Sequence, residues 1–265
     1  MSALGDTLSD GLTVTRRNIT KLRRIPDVIV FSLIQPVMFI VLFVYVFGSA
    51  IEVPGVEYED YLIPGIFAQT LVFGSALTGL GLAEDLQKGI IDRFRSLPMA
   101  RSAVLVGRTA ADLLNNALVL VVMVLVGLLV GWRPTTGPLP VAAGILLMLL
   151  FAYAFSWISA TIGLAVRSVE VAQSAGFIWL FPVTFLSNVF VQPAGLNDVL
   201  RVVAEWNPVS ALAAAVRDLF GNESSIPVEA WPLQHAALVS VGWSLLILAV
   251  FVPLSVNRYR KAAAR

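Results

Sequence analysis

Few residues of this chain could carry covalent or acid–base chemistry. There is one histidine, His235, and no cysteine. Thiol nucleophiles, thiolate metal sites and redox switches are therefore excluded. A lone histidine at the edge of an apolar run reads as a satisfied polar group. The sequence has no HExxH and no GxSxG motif, and no Gly-Lys pair from which to build a Walker A phosphate cradle. No catalytic, cofactor-binding or metal-ligating residue is assigned. Two other constellations stand out. The first is EDLQKGIIDRFRSLPMARSAVLVGRTAAD, positions 84–112. Gly89 interrupts it, and Pro98 closes a short helix expected over 90–96. Ile90, Ile91, Phe94 and Leu97 are its apolar positions, with Asp92, Arg93 and Arg95 between them. A mixed apolar and charged face suits docking of a soluble partner; side chains snorkelling around a turn are the competing reading. The second constellation is aromatic. Phe31, Gln35, Phe39, Phe43 and Phe47 recur at steps of four, and Phe177, Phe181 and Phe185 do so again ahead of Asn188. Such stripes with isolated amides suit flat, amphipathic cargo. Lipid-facing or packed phenylalanine is the competing reading.

The composition says what kind of element positions these residues. Of 265 residues, 58% are hydrophobic and 13% charged, and the mean hydropathy is +0.84. A soluble domain has about twice that charge fraction. Six runs free of Asp, Glu, Lys and Arg predict membrane spans at about 28–51, 61–83, 113–132, 141–166, 171–192 and 235–257. On this reading all 35 charged residues lie in loops and termini. Of the 18 Lys and Arg, 15 fall on the side of the N-terminal arm, the loop after span two and the C-terminal tail. Arg133, Arg201 and Arg217 fall on the other. The positive-inside rule puts both termini in the cytoplasm. A cleavable signal peptide would need an apolar core of only about 7–15 residues, shorter than the first run.

The expected fold is an all-α integral membrane protein of six helices, N-in and C-in. Residues 1–27 form an interfacial amphipathic helix, with Leu4, Leu8, Leu12, Thr15, Ile19 and Leu22 at helical spacing among cations; a solvated arm is the competing reading. Residues 28–258 form the transmembrane domain and 259–265 a basic cytoplasmic tail. Between spans five and six, two short outer helices are predicted to lie on or dip into the outer leaflet. Asn207 and Pro208 start the second of them and Gly221 stops it. Ala152, Ser156, Ser159, Ala160 and Gly163, and the pair Gly127 and Gly131, read as small-residue helix packing.

Function classes narrow further. A proton- or ion-coupled carrier keeps ionisable groups inside the membrane, and a channel shows a charged ring or polar filter. The uncharged spans offer neither, so the energy for transport has to come from another subunit. A self-energised secondary carrier or channel is the alternative. A net charge of +1 gives no case for nucleic acid.

At four places the chain resembles a known family. Tyr58-x-x-Tyr61-Leu62-x-Pro64-Gly65 opens span two. Glu84-Asp85 through Lys88-Gly89-Ile90-Ile91-Asp92-Arg93-Phe94-Arg95-Ser96-Leu97-Pro98-Met99-Ala100-Arg101 is similar to that family's coupling segment. Gly107-Arg108 and Asp112 follow, and Asn207-Pro208 with Arg217 precedes the last span. Together they resemble the membrane subunit of a type-two ATP-binding-cassette exporter, in the daunorubicin/doxorubicin-resistance branch. The resemblance implies a half-transporter in a bacterial cell membrane. It pairs with a second six-span permease, identical or paralogous, and with two copies of a soluble ATPase that carries ATP and Mg. The chain itself binds no cofactor. Glu84, Lys88, Gly89, Ile90, Ile91, Arg93, Phe94, Arg95, Leu97 and Pro98 would meet the ATPase. Tyr61, Pro64, Gly65, Asn207, Pro208 and Arg217 would be structural. Cargo would be an amphipathic small molecule or lipid, moved outward.

Overall fold

The computed structural model describes residues 26–47, 55–90, 101–166, 168–190, 193–223 and 229–262. The interfacial helix expected over 1–27 and the coupling residues Ile91, Arg93, Phe94, Arg95, Leu97 and Pro98 lie outside the described residues, Pro26 and Asp27 apart. Among the described residues the regular structure is entirely helical.

Helix α1, Pro26–Leu42, runs on through a π-helical turn, Phe43–Phe47. Helices α2, Tyr58–Gly74, and α3, Ala76–Gln87, make one stretch of 30 residues interrupted only at Ser75. There Ser75 Oγ donates back to the Val72 carbonyl at 2.6 Å, a local bond that competes with the helical ladder. Helix α4 is Arg101–Val130, α5 Pro138–Gly163 and α6 Val169–Phe185. Helices α7, Asp198–Trp206, and α8, Pro208–Phe220, meet at 67°. A single turn, Trp231–Gln234, leads into α9, Ala236–Ala262.

Of the expected six crossings, four helices among the described residues have the length and apolarity to span: the α2–α3 stretch, α4, α5 and α9. The bent pair α7–α8 would make a fifth. Helix α6 is 17 residues, shorter than the roughly 20 that a hydrocarbon core asks for, and α1 is 17 residues before its π-helical turn of 5. The charged residues are not confined to loops. Glu84 and Asp85 stand on α3, and Arg108 and Asp112 on α4. The helices run past the uncharged stretches because backbone hydrogen bonding does not stop where hydropathy does.

The termini follow local chemistry. Asn207 Oδ1 accepts from the Val209 N–H at 2.8 Å and Pro208 fills the first helical position. Gly221 closes α8 at φ 71°, left-handed backbone that glycine adopts without strain. Gly131 was expected to pack a helix face. It instead sits at φ 124° past the end of α4, with open space where a Cβ would be. It is a stop signal, and only Gly127 packs closely, against Phe67, Ile63 and Trp132.

Helix α5 is the post around which α2, α3, α4, α6, α8 and α9 are arranged. Its small residues let α3 come close. A Cβ on Gly79 would strike the Ser159 carbonyl, and one on Gly163 would strike the Gly79 carbonyl. Close backbone approach of this kind substitutes for hydrophobic drive where the solvent is lipid. Helix α8, expected to lie on or dip into the outer leaflet, is buried along most of its length against α2, α5 and α9. Outward faces are apolar, as with Leu114, Val121, Leu125 and Leu129 on α4 and Leu238, Leu245 and Leu246 on α9.

Candidate functional site

At the end of the bundle bearing the α3–α4 connection, four named residues of the coupling segment are described. Lys88 donates to Glu84, one helical turn earlier. That carboxylate holds the exposed ammonium above the usual lysine range. Gly89, at φ 63°, ends the turn, and Ile90 follows, half-buried. Just inside, Arg108 and Asp112 tie α4 to α3. Arg108 Nε donates to Asp112 Oδ2 at 3.0 Å, and its Nη2 to the Leu77 carbonyl at 3.2 Å. Thr78 Oγ1 donates to the same carboxylate oxygen at 2.7 Å. A Cβ on Gly81 would collide with the guanidinium, so the contact needs glycine there. Asp85 is buried beside this cluster. A partly shielded, hydrogen-bonded ion pair of this sort resists separation far more than a surface pair does.

At the opposite end a second cation is buried. Arg217, on α8, is 3% exposed. Its Nε donates to the Tyr61 carbonyl at 2.7 Å, and its Nη2 to the carbonyls of Asn188 and Val189, both at 3.0 Å. The guanidinium lies 3.7 Å from the Tyr61 ring centroid, a cation–π contact. The Tyr61 hydroxyl donates to the same Asn188 carbonyl at 3.0 Å. Gly65 makes room, since a Cβ there would come within 2.8 Å of Arg217 Nη2 and 2.9 Å of the Val189 oxygen. Asn207 Nδ2 completes the knot by donating to the carbonyls of Val183 and Leu186, at 2.7 and 3.0 Å. Tyr61, Pro64, Gly65, Asn207 and Arg217 are all buried. Two sequence segments some 150 positions apart thus converge on the loop after α6, whose carbonyls no helix satisfies. Arg217 is an interior residue, whereas a count of charges alone puts it in an outer loop.

Comparison with known proteins places the chain in a family. The model of the ABC-2 type transporter family matches residues 11–220. A daunorubicin resistance ABC transporter permease protein of Streptomyces coeruleorubidus is 31% identical over 262 residues, 99% of this chain and 90% of that one. The chain belongs to the ABC-2 type transporter family. A probable doxorubicin resistance ABC transporter permease protein of Mycobacterium tuberculosis is 22% identical over 254 residues, covering 95% of this chain and 88% of that one. A putative transport permease of Cyanophora paradoxa is 21% identical over 243 residues, 90% and 83% of the two chains. The protein is a multi-pass permease of the cell membrane.

In the permease the two aromatic stripes are joined by a residue that spacing does not single out. Phe177, Phe181 and Phe185 stack along α6 at 5.7 and 5.6 Å between centroids. Phe185 reaches Phe190 at 5.6 Å, Phe190 reaches Phe43 at 4.8 Å, and Phe43 reaches Phe39 at 5.8 Å. Phe73 of α2 closes the other end, 6.4 Å from Phe177 and 5.5 Å from Phe181. Phe190 lies in the loop after α6, outside any periodic run. Phe39, Phe73 and Phe177 of this ladder also line a cavity of about 210 Å³. Gln35, Phe39, Gln69, Phe73, Asn115, Asn116, Gln173 and Phe177 are among the residues lining it, with Ala76, Leu77 and Leu80 of α3. Of the aromatic and amide residues picked out by spacing, Gln35, Phe39 and Phe177 face the cavity, while Phe43, Phe181 and Phe185 belong to the ladder. The side chain of Phe31 lies outside the described residues. Asn188 serves elsewhere: it is buried, its N–H donates to Ser210 Oγ at 3.0 Å, and its carbonyl holds Arg217.

Proposed function

We propose that the permease is the membrane half of an ATP-driven exporter for amphipathic, drug-like or lipid cargo. In this reading two permease chains pair and two soluble ATPase subunits bind ATP and Mg. The chain crosses the membrane six times with both termini cytoplasmic. The 84–112 segment receives the ATPase through Phe94 and Leu97, with Arg93 and Arg95 at the rim.

One observation carries the reading. Helix α3 ends in the coupling segment, and the same helix presents Ala76, Leu77 and Leu80 to the cavity. Its Leu77 carbonyl and Thr78 hydroxyl are bonded to Arg108 and Asp112 on the helix that leaves that segment. A push delivered between α3 and α4 therefore moves the cavity wall as one piece. The drug-resistance permeases among the relatives support the cargo class.

The test is co-purification with a soluble ATPase, followed by ATP-dependent transport in proteoliposomes. Phe94→Ala should lose ATPase association more severely than Arg95→Ala, because truncating an interface aromatic typically costs upwards of about 2 kcal/mol and a rim charge less. Full association and full transport by Phe94→Ala, or transport driven by an ion gradient with no ATPase, would sink the proposal.

A further inference from the structure

We propose that the C-terminal end of α9 binds the phosphate headgroup of an anionic phospholipid through Arg258 and Arg260. The site rests on the crossing of the membrane by α9, for which that helix has the length and apolarity. It stands whether or not the exporter reading holds.

Three features carry it. The first is register. Helix α9 turns one face away from the bundle, and Leu238, Val241, Leu245, Leu246, Val250 and Leu254 are exposed on it. Arg258 stands one helical turn after Leu254 and two after Val250, and Arg260 stands two turns after Pro253; all of these are exposed. The face that meets acyl chains therefore ends in two guanidinium groups. The second is depth. From Leu238 to Arg258 the helix rises about 30 Å at 1.5 Å per residue, the thickness of a hydrocarbon core. Before its other end the exposed Trp231 stacks on His235, with ring centroids 5.0 Å apart, an aromatic pair suited to a membrane–water interface. The two marks put the arginines level with the phosphates of the opposite leaflet, which the proposed topology makes the cytoplasmic one. The third is a missing counter-charge on a fixed support. Tyr259, between the two arginines, is 2% exposed and lies in a cluster with Leu82, Leu105 and Trp157. Ser255 Oγ donates to the Trp157 carbonyl at 3.2 Å and shares a 2.6 Å hydrogen bond with Thr161 Oγ1. The helix end is thus held in place and cannot roll its cations elsewhere. The ion pairs between described residues are Lys88–Glu84, Arg108–Asp112 and Arg201–Asp198, and neither Arg258 nor Arg260 enters one. A phosphodiester supplies the missing charge and matches the guanidinium fork with paired N–H···O bonds. A zwitterionic headgroup would bring a further cation to a site that offers it no acid, so the anionic lipid is favoured.

The experiment reads lipid contact at this end of the full chain in phosphatidylcholine nanodiscs, without ATPase. Asn257→Cys, at an exposed position beside the arginines in a chain with no native cysteine, carries a bimane label. The probes are phosphatidylglycerol and phosphatidylcholine brominated on their acyl chains, since bromine quenches bimane on contact. Brominated phosphatidylglycerol should occupy the site about thirtyfold more strongly than brominated phosphatidylcholine, about fivefold for each arginine. Arg258→Gln combined with Arg260→Gln should bring the two probes together and leave the phosphatidylcholine curve unchanged. The same label on Leu238→Cys, at the other end of the face, should show no preference. Raising the salt from about 0.05 M to about 0.5 M should cut the preference at position 257 severalfold, and supplies the test if the double variant is not monodisperse. Equal quenching by the two probes at position 257, or an equal preference at position 238, would overturn the proposal. So would a preference that survives the added salt. A double variant that kept its lipid preference and lost ATPase association would also overturn it, by giving the arginines to the ATPase. The lipid assay contains no ATPase, so its failure leaves the exporter reading standing.

Discussion

Replacing Arg217 by leucine tests whether the buried guanidinium is what fastens α8 to the loop after α6. The substitution keeps an apolar stem and deletes three donors, at 2.7, 3.0 and 3.0 Å, and one cation–π contact. Hydrogen bonds from a charged donor contribute about 1.5–3 kcal/mol each, and a desolvated cation–π contact about 2 kcal/mol. Against these stands the desolvation that the guanidinium no longer suffers. The balance for breaking one side of a buried charged network is about 3–5 kcal/mol. At about 2–4 °C per kcal/mol for a chain of this size, the melting midpoint should fall on the order of 10 °C. The assay is the loss of monodisperse protein on heating, followed by size-exclusion chromatography in one detergent. Tyr61→Phe removes only the hydroxyl bond to the Asn188 carbonyl and should cost about 1 kcal/mol. Arg201→Leu breaks an exposed pair with Asp198 at 2.9 Å and should cost about 0–1 kcal/mol. A midpoint for Arg217→Leu indistinguishable from that of Arg201→Leu would refute the argument.

The same melt should register Gly163→Val strongly, because the added carbons strike the Gly79 carbonyl; overpacking of this kind costs about 1–3 kcal/mol. Gly131→Ala meets no neighbour, so its cost is backbone strain alone, about 1–3 kcal/mol. A Gly163→Val midpoint equal to that of the unsubstituted chain would contradict the close approach of α3 and α5. Arg108→Met and Asp112→Leu should be non-additive by about 0.5–3 kcal/mol in a double-mutant cycle, since the residues are bonded at 3.0 Å; strict additivity would show the ion pair to be idle. Glu57→Cys, in a chain with no native cysteine, should react with an impermeant maleimide on intact cells. Labelling that requires permeabilisation would reverse the topology.

Much of the local structure was legible because it depends on neighbours along the chain. Asn207 and Pro208 announced the start of α8 and Gly221 its end, since a side-chain acceptor, a fixed φ and a left-handed residue act within one turn. The Gly89 break in the coupling segment was legible for the same reason. The all-helical membrane class followed from hydropathy, since a backbone in lipid has to bond to itself. Gly131 misled because spacing of four describes both a packing face and a helix stop, and only the dihedral angle separates them. Helices α3 and α4 carry charge past the uncharged runs, because a run of hydropathy marks where lipid is and not where a helix ends.

Composition and pattern by themselves determined the solvent, the helical class, the caps and the family resemblance of the coupling segment. They did so because each is a sum over residues or a short-range rule. The tertiary structure alone decided that Arg217 is interior, that Gly65 clears space for it, and that Phe190 joins two aromatic stripes. It also decided that amides from four helices meet around one cavity. Each of these is a meeting of side chains far apart in sequence. No periodicity encodes such a meeting, since it depends on which helix faces come together once the bundle has closed.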